Sequence, residues 1–234
     1  MDELIAFDKS LLLQWNGSDS LFLDGFMWMY STTWLWIPLA LMLLVLIVRN
    51  NDARNSILIF ILLALVIVVA DRVSSGFCKP FFHRFRPTHD PEIGYMVDIV
   101  RNYRGGRYGF ISSHAANSFA LFTFTALLFK NYLYTFSMLL WALITCYSRI
   151  YLGVHYPGDI LFGSLFGVIV GFAFYKLYLL LSKRLVFTAQ RRGYGGNRES
   201  TRSGYSIKQI NSFVSLFFLL NIVAMISGTI YMNL

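Results

Sequence analysis

Long apolar runs alternate with short polar connections over most of the 234 residues. Six runs approach the roughly 20 residues that a helix needs to cross a bilayer. They are 33–49, 56–77, 115–130, 133–152, 160–182 and 210–232. Lipid offers no partner to an unpaired backbone group, so helices are the expected element. The third run is the shortest, bounded by Ser112-Ser113-His114 and Lys130-Asn131. Residues 4–30 follow another pattern. Leu11, Leu12, Leu13 and Trp15, then Leu21, Phe22, Phe26 and Met27, are mixed with acids and Asn16-Gly17. This predicts short helices lying in the membrane interface, with Trp28, Tyr30, Trp34 and Trp36 as an aromatic belt. The expected fold is all-α and integral to the membrane, with about six transmembrane helices and an interfacial segment at 1–31. The chain 1–234 reads as one membrane domain, and 210–232 supplies its C-terminal span.

Composition supports this. Hydrophobic residues make up 56% of the chain and charged residues 14%, against about 25% charged in soluble domains. The net charge of +8 is unevenly spread. Residues 1–31 are acidic, whereas 183–208 carry seven basic residues, among them Lys183, Arg184, Arg191, Arg192 and Arg198. A basic run between two spans reads as a topology determinant rather than a nucleic-acid surface. Grouping the connections by face puts 49–55, 130–132 and 183–208 together on the cytoplasmic side. The outer loop 78–114, residues 153–159 and both termini then lie outside. The expected location is the cytoplasmic membrane, multi-pass, with the outer face towards the periplasm or cell exterior. Cys78 and Cys146 read as packing residues, too few for a disulfide framework. Residues 1–15 lack the basic segment and cleavage site of a signal peptide.

All four histidines, His83, His89, His114 and His155, fall on the outer face. Around them, four span ends carry Lys79, Arg86, Ser112, Ser113, Ser148, Arg149 and Asp159. Charged groups near membrane depth are costly and usually functional. This set suits phosphoryl transfer. Lys79, Arg86 and Arg149 can hold phosphoryl oxygens. Ser112 and Ser113 open a helix, where free N–H groups and the dipole favour an anion. A neutral imidazole such as His155 can attack phosphorus, with Asp159 fixing its tautomer. His114 can protonate the leaving oxygen. His83 and His89 read as partly exposed loop residues. Arg101, Arg104 and Arg107 read as a solvated or headgroup-facing loop, with a second phosphate as the sharper alternative. Asp71-Arg72, inside the second span, is expected to pair within the bundle.

Lys79, six residues, then Arg86-Pro87 resembles the first signature of the type-2 phosphatidic acid phosphatase superfamily. Ser148-Arg149, five residues, His155, three residues, then Asp159 resembles the third. The middle signature, usually Pro-Ser-Gly-His, here reads Ile111-Ser112-Ser113-His114, keeping Ser and His but replacing Pro and Gly. Ser113 keeps the backbone amide and adds a side chain. The resemblance covers 79–159, and the flanking spans by architecture. It implies a metal-independent lipid phosphatase without cofactor. In it His155 forms a phosphohistidine, Asp159 orients His155, and His114 protonates the leaving group. Lys79, Arg86, Ser112, Ser113 and Arg149 hold the phosphate. The implied partners are the bilayer and a lipid phosphate or diphosphate, with undecaprenyl diphosphate favoured. Phosphatidylglycerol phosphate, phosphatidic acid and a lipid A phosphate are the alternatives. A lipid-linked phosphotransferase and, from another class, a lipid transporter are competing readings. The absence of an inverted repeat weighs against transport.

Overall fold

The computed structural model describes residues 2–185 and 200–232. The described residues contain no β-strand, only two isolated bridges, so the expected all-helical class is met. Two short helices, α1 (Asp2–Trp15) and α2 (Leu21–Tyr30), precede α3 (Thr33–Asn50) and α4 (Ala53–Asp71). A π-helical stretch, Arg72–Cys78, carries α4 into the short α5 (Lys79–Phe82). An irregular loop leads to α6 (Ser113–Phe129), followed by α7 (Tyr132–Tyr151), α8 (Pro157–Leu185) and α9 (Ile207–Met232). Among the described residues five helical segments are long and apolar enough to cross a membrane, and α6, at 17 residues, is the short one. Only 28–50% of each spanning window is buried inside the protein. The remaining apolar surface, including Leu41, Ile57, Ile61, Phe136 and Ile169, faces outward, as lipid-facing helices require.

Helix α6 sits at the centre, packed on α8, α7 and α4. Its fit against α8 depends on a stripe of small residues. Gly163, Gly167 and Gly171 stack one helical turn apart and meet the backbone of α6. A Cβ on each would lie 2.6, 2.4 and 2.5 Å from the carbonyl oxygens of Ser112, Ala116 and Ala120 respectively. Inside lipid, helices associate by such close van der Waals approach rather than by hydrophobic exclusion. The stripe therefore sets α8 against α6, and with it the N-terminal ends of both helices.

Most of the predicted outline holds, with boundaries shifted by a few residues. The connections expected to share a face meet at one end of the bundle. Asn50 donates to Gln209 (2.6 Å), Asn51 to the Tyr205 hydroxyl (3.0 Å) and Ser203 to the Phe129 carbonyl (2.7 Å). Arg191, Arg192, Arg198 and most of the basic loop lie outside the described residues. Three expectations change. Helix α2 is not merely interfacial: it buries Gly25, Phe26, Met27 and Tyr30, and Gly25 lies directly on Gly228 of α9. Tyr30 and Trp36 are packed together rather than belted. Their rings are 4.7 Å apart, and the Trp36 indole donates to the Tyr30 carbonyl at 2.9 Å. A partly buried indole is best satisfied by such an acceptor. Asp71 and Arg72 form no ion pair. Adjacent helical positions point apart, and Asp71 instead accepts from Ser75 at 3.4 Å.

Candidate active site

The elements converge at the other end of the bundle. There the π stretch and α5, the N-terminus of α6, the C-terminus of α7 and the N-terminus of α8 come together. The π stretch and α5 keep Ser75 and Lys79 four residues apart on one face, aimed at α6. Lys79 Nζ donates to Ser113 Oγ at 2.6 Å and to Ser75 Oγ at 3.3 Å, and the two hydroxyls are 2.8 Å apart. Ser112 caps α6: its Oγ accepts from the Ala115 amide at 3.4 Å. Its own amide donates to the Asp159 carbonyl at 3.1 Å, joining the starts of α6 and α8.

A tight turn between α7 and α8 brings Arg149 and His155 together. The Val154 amide donates to the Arg149 carbonyl (3.0 Å), and Gly153 takes a left-handed φ of +66° that glycine adopts without steric cost. Arg149 is 2% exposed. It donates to Ser148 Oγ through Nε and Nη2, both at 3.3 Å, and its Nη1 lies 3.5 Å from His114 Nε2. Among the described residues no carboxylate pairs with Arg149, Lys79 or Arg86. A buried cation without a counter-ion costs several kcal/mol. The site is thus charged in advance for an anion.

Arg86 is placed by a short backbone pairing across the outer loop. Its amide donates to the Arg107 carbonyl (3.0 Å), the Gly109 amide to the Arg84 carbonyl (2.9 Å), and Arg86 Nε to the Tyr108 carbonyl (3.1 Å). Gly109 permits a close approach. A Cβ there would lie 2.9 Å from Asp159 Oδ2 and 3.5 Å from His155 Nδ1.

His155 and Asp159 are buried at the start of α8, 1% and 0% exposed. Asp159 Oδ2 lies 3.3 Å from His155 Nδ1 and accepts from the Tyr156 amide at 3.1 Å. With Nδ1 turned to the carboxylate, Nε2 is the nitrogen that can attack. Burial holds the His155 imidazole well below its usual pKa, and the charges of Arg86, Lys79, Arg149 and Arg84 add to this. The ring is therefore neutral at neutral pH, the form a nucleophile needs. His114, by contrast, is exposed, which suits a group that meets a leaving oxygen and then solvent.

The eight residues singled out from the sequence thus lie at one end of the bundle, linked by the contacts above. The serial reading missed others. Ser75 shares the Lys79–Ser113 contact, and Tyr103 lies against Arg149. Arg84 donates to Asp159 Oδ1 at 2.8 Å and to Asp8 Oδ2 at 2.6 Å. Those two carboxylates hold its guanidinium above its usual pKa in spite of burial. Arg84 stands between Lys79 and Arg86 in the first motif, but nothing in its spacing marks it. His83 is exposed against Tyr108, and His89 Nε2 is 3.4 Å from the Gly105 carbonyl, both in the outer loop as expected. Arg101 and Arg107 lie over the rings of Tyr231 and Phe85. Arg104 donates to the Thr88 carbonyl at 3.1 Å. Among the described residues no group of three or more His, Cys, Asp and Glu is placed to hold a metal ion.

Residues 56–183 match the model of the PAP2 superfamily. The chain belongs to that superfamily. It is similar to a lipid A 4'-phosphatase of Porphyromonas gingivalis, 38% identical over 79% of this chain and 78% of that protein. A lipid A 4'-phosphatase of Bacteroides thetaiotaomicron is 36% identical over 85% of this chain and 88% of its own. An undecaprenyl-diphosphatase of Bacillus subtilis is 35% identical over a shorter stretch, 31% of this chain and 36% of its own. No solved structure matches. The expected enzyme class, a lipid phosphatase of this superfamily, is met by the family match and by these relatives.

Proposed function

We propose that the chain hydrolyses a phosphate monoester of lipid A, at the 4' position named for its relatives, through a phosphohistidine on His155. The observation that carries the chemistry is the buried His155–Asp159 pair facing three cations that lack counter-ions. The phosphate fits among Lys79, Arg86 and Arg149, with the Ser112 and Ser113 hydroxyls and the free amides at the start of α6. The negative charge of the bound phosphate favours the imidazolium form of His114. His155 Nε2 attacks phosphorus, the bond from phosphorus to the ester oxygen breaks, and the His114 imidazolium gives that oxygen its proton. Water then attacks the phosphohistidine, the P–N bond breaks, and His114 takes the proton back. Asp159 stabilises the imidazolium character that develops on His155.

The relatives, which match over about four-fifths of the chain, support lipid A phosphate over undecaprenyl diphosphate. The latter rests on one short match and is the second reading. The basic connections Arg49–Arg54 and 183–208 favour a site on the non-cytoplasmic face of the inner membrane. Purified protein should release phosphate from lipid A faster than from undecaprenyl diphosphate, phosphatidylglycerol phosphate or phosphatidic acid. Mass spectrometry of the lipid should show loss of the 4'-phosphate. Preference for undecaprenyl diphosphate would overturn the substrate assignment, and transfer to an acceptor lipid without free phosphate would overturn hydrolysis.

A further inference from the structure

The N-terminal helix α1 reaches into the site through a chain of charged contacts that the phosphatase chemistry above does not use. Asp159 has two faces. Its Oδ2 serves His155 Nδ1 and the Tyr156 amide, and its Oδ1 accepts from Arg84 Nη1 at 2.8 Å. Arg84 in turn donates from Nη2 to Asp8 Oδ2 at 2.6 Å and lies over the Tyr156 ring, 4.3 Å from its centroid. Asp8 Oδ1 accepts from the Gly158 amide, at the first turn of α8, at 2.8 Å. Asp8 therefore touches both the guanidinium that holds Asp159 and the helix end that carries it.

The rest of α1 holds Asp8 in place. Lys9 bridges Asp90 at 3.1 Å and Glu92 at 2.7 Å. Leu12 is fully buried with Ile93, Val97, Ile150 and Tyr156. Asn16 donates to the Tyr151 carbonyl at 2.8 Å and accepts from the Asp98 amide at 2.7 Å. These contacts fasten α1 to the outer loop and to the turn before α8. A helix needed only to anchor the chain in lipid has no use for so many polar ties to one catalytic turn.

We propose that Arg84 and Asp8 are positioning residues for the reaction: Arg84 orients Asp159 towards His155, and Asp8, carried by α1, orients Arg84. Neither touches the phosphate. The two act on the group that aligns the nucleophile. A buried carboxylate with one oxygen unpartnered would rotate or take up a proton, and His155 would lose its fixed tautomer and aim. Arg84 is suited to the task because its planar fork reaches two carboxylates at once. Asp8 also balances its charge, so that Arg84 does not compete for the phosphate.

This rests on His155 being the nucleophile, and the test separates the two claims. Steady-state kinetics on lipid A, with His155→Ala as control, should place the loss in kcat. Arg84→Gln should lower kcat about 10- to 100-fold, the usual loss when an outer partner of a functional ligand is removed. KM should stay within about threefold, because the phosphate ligands are intact. Arg84→Lys should recover part of kcat. Asp8→Asn, which keeps an acceptor for Gly158, should lower kcat less than Arg84→Gln. A structural role alone would not confine the loss to kcat. His155 faces Asp159, Arg84, Arg86, Lys79, Arg149 and His114, and removal of one cation should raise its pKa in Arg84→Gln, read by NMR of labelled imidazole. If Arg84→Gln does not fold, Arg84→Lys and Asp8→Asn decide. Wild-type kcat in the folded Arg84 variants with an inactive His155→Ala would overturn the positioning role alone. An active His155→Ala would overturn the phosphohistidine reading itself.

Discussion

At the residue scale, burial keeps His155 in the neutral form that the proposed nucleophile needs. An exposed histidine titrates near pH 6.5 and would be partly protonated wherever the membrane surface is mildly acidic. Burial removes water from the imidazolium, and Arg86, Lys79 and Arg149 oppose a further positive charge. The His155 resonance of histidine-labelled protein should therefore stay at its neutral position from about pH 7.5 to 6.0. A midpoint at 6.5 or above would contradict the placement. The same burial carries a stability consequence. The folded-state pKa lies below the unfolded one, so the unfolded chain binds the proton first. The contribution is present above the unfolded value, about 6.5, and is lost as pH falls towards the folded pKa. Thermal midpoints in detergent should fall between about pH 7 and 5.5, and fall less in His155→Asn. Equal slopes in the two proteins would remove His155 from the explanation. The grouping of His155, His114 and Asp159 was legible in the sequence because all three stand at span ends on one face. Arg84 and Asp8 were not, since a pairing across more than seventy residues leaves no trace in local spacing.

At the element scale, the starts of α6 and α8 need a common origin, and the glycine stripe on α8 supplies it. Gly163, Gly167 and Gly171 recur every four residues and so share one helix face. That period is visible in the chain, but its partner, the Ser112–Ala120 side of α6, is visible only once the helices are packed. A side chain at Gly167 would meet the Ala116 carbonyl at 2.4 Å, and backbone cannot yield as a side chain can. Gly167→Val should cost about 1–3 kcal/mol by overpacking and lower the melting temperature and activity together. Gly76→Ala, where a Cβ meets nothing within 4 Å, should leave stability unchanged. An undisturbed Gly167→Val would show that the close approach does not set the site. The π stretch is the other device that local pattern hides. Apolar periodicity located the second span, but nothing in Arg72–Cys78 announces the wider turn that leads to Lys79. Such turns recur at functional sites. Tyr30 and Trp36 escaped for a related reason: aromatic residues near span ends look alike whether they meet headgroups or each other.

At the scale of the whole molecule, the charge arrangement works against stability. Three cations meet without a counter-ion, one of them 2% exposed, and the cost falls on folding. Under the proposed function a bound phosphate would relieve it, so inorganic phosphate should raise the melting temperature. Saturation at about 100 times Kd corresponds to about 2.7 kcal/mol. Arg149→Met should lose most of this shift yet melt no lower than the wild type, because an apolar side chain of similar length removes the buried charge. A large drop in the melting point of Arg149→Met would show that the arginine is structural. The all-helical membrane architecture was legible from hydropathy because lipid imposes one rule on every span. The seating of α2 on α9 and of α1 on the site was not, because it depends on contacts between distant parts of the chain.

Trapping the phosphohistidine intermediate would decide the covalent step. Purified protein would be mixed with lipid A carrying labelled phosphate, quenched within milliseconds under alkaline conditions, digested and sequenced by mass spectrometry. Label is expected on His155, formed at least as fast as turnover and absent from His155→Ala. Label on another residue, or none at all during active turnover, would contradict it.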